Sequence, residues 1–361
     1  MRLERLQLRD FRCFESADLE FDPSLTWIVG PNASGKTSLL EAIYFLGHGR
    51  SFRSSRPDRL IRESQAAFEL VARLNDGGLS RVLGLRRDSN GTEARFAGEP
   101  LKSMAEAARL LPAVVLDSSM HELVAGGPSE RRRWLDWGVF HVEHRFFETW
   151  RNYRSALRQR NEGLKAGAAE RVLQPWTLAV VRYGEQLAES RRQFFGSFVP
   201  ILRAHVEAAL PGVPVEFSLR QGWAEGEGYA EALARHLGRD RELGVTRYGP
   251  HRADVVFKVE GLPAEERLSR GQQKMLSGAL WLAQVQMLNR GVGTRPLLLA
   301  DDLASELDGT NLARFLEMLA EVDAQKVLTA ISDSDVARTG LTQGRVFHVE
   351  HGRILRQGTF Q

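Results

Sequence analysis

Residues Gly30-Pro31-Asn32-Ala33-Ser34-Gly35-Lys36-Thr37 fill every fixed place of the pattern G-x-x-x-x-G-K-[ST]. The chemistry of that spacing is phosphate capture. Two glycines let the backbone curl round an anion, and its N–H groups point inward at phosphate oxygens. In this reading Lys36 reaches the β- and γ-phosphates of a nucleoside triphosphate, and the Thr37 hydroxyl holds Mg²⁺. A glycine turn matching by chance would need neither a strand before it nor a helix after it. Here Leu25-Thr26-Trp27-Ile28-Val29 reads as a buried strand and Thr37 to Leu46 as a helix. The positive end of that helix dipole adds to the phosphate site.

A second block supplies acids. Pro296 to Asp302 is an apolar run ending in two carboxylates. Opposite a phosphate loop, Asp301 would hold the Mg²⁺ shell, and Asp302 would sit by the γ-phosphate to orient or deprotonate water. A third block is Leu268-Ser269-Arg270-Gly271-Gln272-Gln273-Lys274, just ahead of a long apolar helix running through Leu288. Ser269, Gly271 and Gln272 offer a hydroxyl, a glycine N–H and a helix N-terminus to an anion. The alternative is a plain N-cap at Ser269. The chain already has one phosphate cradle, so a second anion site has work to do only for another copy of the chain.

These residues need a framework. Leu3, Leu6 and Leu8 point to a first strand and Leu19-Glu20-Phe21 to a second. Phe68 to Val71 and Arg81 to Leu85 alternate, split by Asn75-Asp76-Gly77-Gly78 and followed by Asn90-Gly91, which are hairpin signals. Pro112 to Leu116 reads as a core strand. From about residue 129 to 210 the pattern is helical, with Phe146, Phe147, Trp150, Tyr153 and Leu157 recurring at three- and four-residue steps. Helix packing and a stacking platform for bases are the two readings of that stripe. Regular α/β patterning returns near residue 250, with strands expected at Lys326–Ser332 and at Arg345–Val349, the latter closing the sheet.

At 361 residues the chain fits two domains, or one α/β domain with an insertion. Cys13 is the single cysteine, which excludes an internal disulfide and argues against a cysteine-based zinc site. No run reaches membrane-spanning length, and Met1-Arg2-Leu3-Glu4 opens no signal-peptide h-region, so the expectation is a cytoplasmic protein with no membrane partner. The formal net charge is +3 and the sequence pI about 9.2. Arginines cluster at Arg50, Arg53, Arg56, Arg59 and Arg62, at Arg131-Arg132-Arg133, and at Arg151, Arg154, Arg158 and Arg160. Guanidinium forks suit phosphate backbones. Arg131, Arg132 and Arg133 are therefore candidate DNA contacts, the alternative being that they are structural, with Arg132 paired to an acid such as Asp136.

The phosphate loop, the Leu268–Lys274 block and the acids at Asp301 and Asp302 together resemble the ATP-binding-cassette superfamily. More closely, the chain is similar to the RecF family, whose heads are like those of SMC-type ATPases. The strings that carry this are Asp10-Phe11-Arg12, Gly30 to Thr37, Leu40-Glu41-Ala42-Ile43, Arg50-Ser51-Phe52-Arg53 and Gly127-Pro128-Ser129-Glu130-Arg131-Arg132. Further on come Tyr248-Gly249-Pro250-His251-Arg252-Ala253-Asp254, Leu268 to Lys274, and Asp301-Asp302-Leu303-Ala304-Ser305-Glu306-Leu307-Asp308. The fold implied is an α/β, ABC-type (SMC-like) head of residues 1–125 and 245–361, with a mainly helical lobe, 126–244, inserted. The resemblance also implies ATP with Mg²⁺, Ser269, Gly271 and Gln272 acting in trans, and an ATP-dependent homodimer on double-stranded and gapped DNA. It implies RecR and RecO as partners in loading recombinase for DNA repair and replication, and a weak, DNA-stimulated ATPase. Asp302 stands where related ATPases usually carry Glu, a shorter base that suits slow hydrolysis. Ser332 stands near the place of their switch histidine, and no glutamine near Asp117 marks a glutamine loop.

Three rivals predict other features. A transporter ATPase needs a membrane partner, and a small-molecule P-loop kinase has no use for the Ser269–Gly271 block. An SMC-like nuclease of the overcoming-lysogenisation type carries a Toprim metal domain after the head, for which a chain ending at Gln361 leaves no expected room.

Overall fold

The computed structural model describes residues 1–292 and 295–360. The chain forms two compact units, Met1–Met120 with Gly278–Gln361, and His121–Ser277. In chain order the first unit opens with β1 (Arg2–Phe11), β2 (Phe14–Glu20), β3 (Leu25–Val29) and α1 (Lys36–His48). Next come β4 (Phe68–Asp76), β5 (Leu79–Asp88), β6 (Gly91–Phe96), β7 (Glu99–Pro100), α2 (Met104–Leu110) and β8 (Ala113–Leu116). Then follow α3 (Glu122–Ala125), α4 (Pro128–Val142), α5 (Phe146–Lys165), α6 (Glu170–Ala209) and β9 (Val215–Arg220). After them are α7 (Tyr229–Arg235), α8 (Leu237–Leu243), β10 (Asp254–Val259), β11 (Leu262–Pro263), α9 (Ala264–Arg267) and α10 (Arg270–Val292). The chain ends with β12 (Leu297–Ala300), α11 (Leu303–Glu306), α12 (Gly309–Glu321), β13 (Gln325–Ala330), α13 (Asp333–Thr339), β14 (Gly344–Glu350) and β15 (Arg353–Phe360).

The first unit holds two sheets. One is antiparallel, in the order β2-β1-β4-β5-β6-β7. Its strand β4 alternates, burying Phe68, Leu70, Ala72 and Leu74 and exposing Glu69, Val71 and Arg73, as a sheet with one wet face does. Gly77 and Gly78 turn β4 into β5 with φ of 61° and 99°, the two positive values a tight hairpin turn requires. The other sheet runs β15-β14-β3-β13-β12-β8, parallel from β14 to β8. Its inner strands β3 and β12 are buried at every residue, which is the continuous apolar run of a parallel core. The sheet does not close at β14. A hairpin at His351-Gly352, both at positive φ, adds β15 as an antiparallel edge. The polar make-up of that strand, Arg353-Ile354-Leu355-Arg356-Gln357, hides it from an apolar pattern.

Helix α1 packs against strands of both sheets. It is accordingly apolar almost all round, with Leu39, Leu40, Ala42, Ile43, Phe45 and Leu46 fully buried. Phe68 anchors the layer edge-on to Phe11 at 5.0 Å and to Phe45 at 5.3 Å. Such pairs add roughly 0.5–1.5 kcal/mol each beyond area burial.

In the second unit α5 and α6 pack along each other. The aromatic stripe on α5 divides. Phe146 and Tyr153 are core, whereas Phe147 and Trp150 stack on each other and Arg154 lies over Trp150. Trp134 of α4 is buried between Phe198 and Phe257. A small sheet, β11-β10-β9, completes the unit, with β9 paired to β10 from Val215↔Val259 to Arg220↔Asp254.

Candidate nucleotide site and basic surfaces

The phosphate loop leaves β3 at Gly30 and enters α1 at Lys36. Two positions permit only glycine. A Cβ on Gly30 would lie 2.2 Å from the Val349 carbonyl oxygen, and Gly35 has φ 116° with the Phe14 ring 2.8 Å from where its Cβ would be. Ala33 takes the strained left-handed value of 63°. Ser34 Oγ is buried with no hydrogen-bond partner among the described residues, an orphan that a phosphate oxygen would satisfy. Lys36 is 4% exposed, and its Nζ rests on the Gly30 carbonyl at 2.8 Å and the Pro31 carbonyl at 3.3 Å. An ammonium parked on its own loop can be re-aimed at an anion.

The acids arrive at the end of β12, two strands along from β3 in the same sheet. Thr37 Oγ1 donates to Asp301 Oδ2 at 2.7 Å. Lys36 Nζ is 3.6 Å from Asp302 Oδ2. Strand β13 lies between β3 and β12, and its Thr329 joins both acids. The Thr329 hydroxyl accepts from Asp302 N at 2.8 Å, and lies 2.9 Å from Asp301 Oδ1 and 3.1 Å from Asp302 Oδ1. Asp302 sits in the left-handed region, φ 47° and ψ 46°, so its N–H needs that partner. Burial pushes the Asp302 carboxyl above its ordinary value; Lys36 opposes this and Asp301 adds to it. Thr329 was invisible to motif reading. Its signal is a hydroxyl near the end of a strand otherwise apolar, Val327-Leu328-Thr329-Ala330.

The donor set suits Mg²⁺. Among the described residues no group of three or more His, Cys, Asp or Glu is placed to hold a metal ion, but Mg²⁺ uses one or two carboxylates plus phosphate and water. Thr37 Oγ1 and Asp301 Oδ2 would be its protein-side oxygens.

Three of the short strings converge on one carboxylate. Glu41 of α1 is fully buried, and Arg12 clamps it through Nε and Nη2, each at 2.8 Å. The Ser51 hydroxyl also donates to it. A buried carboxylate survives only when paired in this way. The clamp fixes β1 and the segment after α1 to the helix that carries Lys36.

The Leu268–Lys274 block lies in the second unit. Ser269 and Gln272 cap each other: Gln272 N donates to Ser269 Oγ at 3.3 Å and Ser269 N to Gln272 Oε1 at 3.0 Å. Gln273 is buried and braces the approach through the Glu265 and Leu268 carbonyls. Ser269 remains exposed, with Gly271 and Gln272 half-buried. Near the expected switch position, Ser332 caps α13, and His348 reaches Asp333 at 2.9 Å.

The three consecutive arginines are unlike one another. Arg131 grips Asp254 at 2.8 and 3.0 Å, and Arg132 donates to the Ala253 carbonyl at 2.7 Å. Arg133 alone of the three is exposed, beside Glu130. Asp136 does not pair with Arg132; Arg191 takes it, at 2.7 and 2.9 Å. Arg160 is also withdrawn from any surface role, being fully buried against Asp240. Arg50, Arg53, Arg56 and Arg59 are exposed, while Arg62 pairs with Asp10.

A P-loop between a parallel sheet and α1, with paired acids at the end of the next strand but one and a separate serine-glycine-glutamine helix start, defines an SMC-type head. The family model described as RecF/RecN/SMC N terminal domain matches residues 2–354. The chain is 41% identical over 356 residues to the DNA replication and repair protein RecF of Edwardsiella ictaluri (strain 93-146), covering 98% of this chain and 99% of that one. Against RecF of Escherichia coli O6:K15:H31 (strain 536 / UPEC) it is 40% identical over 355 residues, with the same coverage. Among solved structures, RecF-ATP of the RecFOR pathway matches with a TM-score of 0.87 and 25% identity, covering 99% of this chain and 98% of that chain. The head of Smc bound to the C-winged helix domain of ScpA matches in fold, with a TM-score of 0.60 at 15% identity over 100% of this chain and 98% of that one. The chain belongs to the RecF family of DNA replication and repair proteins, within the RecF/RecN/SMC group. No helix among the described residues is long and apolar enough to cross a membrane.

Proposed function

We propose that the chain is an ATP-switched DNA-binding protein of recombinational repair and replication. ATP sits in the loop from Gly30 to Thr37, with Lys36 leaving the Gly30 and Pro31 carbonyls for the β- and γ-phosphates. Thr37 and Asp301 would hold Mg²⁺, whose charge would offset that of the phosphates. Asp302 orients the attacking water. Ser269, Gly271 and Gln272 of a second copy close over the γ-phosphate, so ATP drives a homodimer. That dimer clamps double-stranded DNA near single-strand gaps, works with RecR and RecO to load recombinase, and is reset by slow, DNA-stimulated hydrolysis. Of the three arginines first considered, the exposed Arg133 is the one that meets phosphate, joined by the exposed Arg50, Arg53, Arg56 and Arg59. Arg131 and Arg132 support the protein itself.

The observation that carries this reading is the continuous contact from Thr37 through Asp301, Thr329 and Asp302 to Lys36, beside a loop with a buried, partnerless serine hydroxyl. Sedimentation of the full chain tests it. The expected result is a shift to dimer with ATP and Mg²⁺, and co-sedimentation with gapped duplex that ATP strengthens. A chain that stays monomeric with ATP and binds gapped duplex equally with and without it would contradict the reading.

A further inference from the structure

The segment Tyr248-Gly249-Pro250-His251-Arg252-Ala253-Asp254 has no part in the nucleotide site, yet it is held at almost every residue. Tyr229 Oη donates to the Tyr248 carbonyl at 3.1 Å. Gly249 N donates to the Gly222 carbonyl at 3.1 Å, and a Cβ on Gly249 would fall 2.1 Å from Tyr229 Oη. Arg191 Nη1 donates to the Pro250 carbonyl at 2.7 Å. His251 lies between Tyr153 Oη at 2.7 Å and the Thr246 carbonyl at 2.9 Å. Arg132 and Arg131 fix Ala253 and Asp254.

Arg252 is the exception. Its backbone N–H closes the turn onto Gly249 O at 2.8 Å, but its side chain is exposed and makes no ion pair among the described residues. It opens on a groove of about 830 Å³ within the second unit, lined also by Arg220, Gln221, Trp223 and Phe195. Arg220 is exposed as well, and stands opposite Asp254 across the β9–β10 pair. Asp254 is held by Arg131 through both carboxylate oxygens and makes no ion pair with Arg220 among the described residues. Arg192 on the groove wall is balanced by Glu189, and Asp136 by Arg191. Among the described residues Arg252 and Arg220 make no ion pair, and against Glu225, the remaining acid on the groove wall, they leave one net positive charge on a backbone braced at its neighbours. Guanidinium groups sharing one groove wall can fork onto phosphate oxygens.

We propose that Arg252 and Arg220 form a phosphate clamp for a nucleic-acid backbone, with the rest of the 248–254 segment as its rigid mount. The proposal rests on the DNA-binding reading above and adds the place of contact. Contacts of this kind go to backbone phosphates and carry no base preference.

The test is duplex affinity of the full chain with ATP across a salt series, for wild type, Arg252→Gln/Arg220→Gln, and Arg151→Gln/Arg158→Gln. The last pair removes the same charge from exposed positions outside the groove. Loss of two phosphate contacts lowers the slope of log K against log salt by about 1.8, since each contact releases roughly 0.9 counterion. The expected result is that drop in the groove variant, with the melting temperature and ATP-driven dimer unchanged, and no comparable drop in the control. Equal slopes in wild type and groove variant overturn the clamp and leave the DNA reading standing. A wild-type chain that binds no duplex overturns both. Polyglutamate that binds wild type but not the groove variant, while DNA slopes stay equal, reassigns the groove to an acidic protein and also overturns the clamp.

Discussion

Thr37 Oγ1 donates to Asp301 Oδ2 across 2.7 Å, although 264 positions separate the two residues in the chain. The contact exists because β13 alone lies between the strand that feeds the phosphate loop and the strand that ends in acids. Thr329 of that middle strand then touches both acids. The hydroxyl has one proton and two carboxylates within reach, so it favours one acid at a time.

Thr329→Val keeps the shape of the side chain and removes that hydroxyl. Asp302 N–H loses its partner, and the left-handed turn at Asp302 loosens. ATP binding should stay near wild type while hydrolysis falls about tenfold or more, the scale of one hydrogen bond to a charged group. Thr329→Ser should recover most of the rate. Single-turnover hydrolysis alongside equilibrium ATP binding separates the two effects; equal loss of both would make Thr329 merely structural.

Asp302→Asn should bind ATP and stop at the dimer, prolonging DNA binding. Burial holds the Asp302 carboxyl above its usual value. Hydrolysis by wild type should therefore fail on acidification while the pH is still above the ordinary carboxylate range. The stability effect has the opposite sense to a salt-bridged acid. A raised folded-state pKa means that stability falls as pH rises from the ordinary value through the raised one. Asp302→Asn removes that penalty, so it should melt higher than wild type at neutral pH. Wild-type turnover in Asp302→Asn would assign the base elsewhere.

His251 gives a pH effect of the other sign. Burial, aided by Arg252, Arg132 and Arg191, lowers its pKa to about 4. A depressed folded-state value contributes stability that is present above the unfolded pKa near 6.5 and lost as pH falls towards 4. The full effect is about 3 kcal/mol at most, at 1.36 kcal/mol per unit. Wild-type melting temperature should drop across that window, and His251→Gln, which keeps an amide for Tyr153 and the Thr246 carbonyl, should flatten the drop. A profile identical in both proteins would place the acid sensitivity in other groups.

Motif spacing was enough to place the glycine loop between β3 and α1, the strand that ends at Asp301 and Asp302 and the helix that opens at Arg270, because each is a local device whose residues stand close in sequence. What joins them was not legible. Thr329 and the Arg12–Glu41–Ser51 clamp act through strand order and packing, which no short window encodes. The hairpin strand β15 escaped because an edge strand needs few apolar residues. Arginine runs were the least informative feature. Arg131 and Arg133 are two residues apart, yet one is locked on Asp254 and the other faces solvent.

The central claim is that one copy's signature completes another copy's phosphate site, and a mixing experiment tests it most directly. Lys36→Met should lose ATP at its own loop yet keep a native signature. Ser269→Arg should still bind ATP, but its bulky cation blocks the partner's γ-phosphate; the lost cap costs about 1 kcal/mol and should leave the fold intact. By sedimentation with ATP and Mg²⁺, each variant alone should remain monomeric. Their mixture should form a heterodimer, held by the one interface in which a native loop faces a native signature. Ser269→Arg dimerising normally by itself, or a mixture that stays monomeric while wild type dimerises, would contradict the trans arrangement.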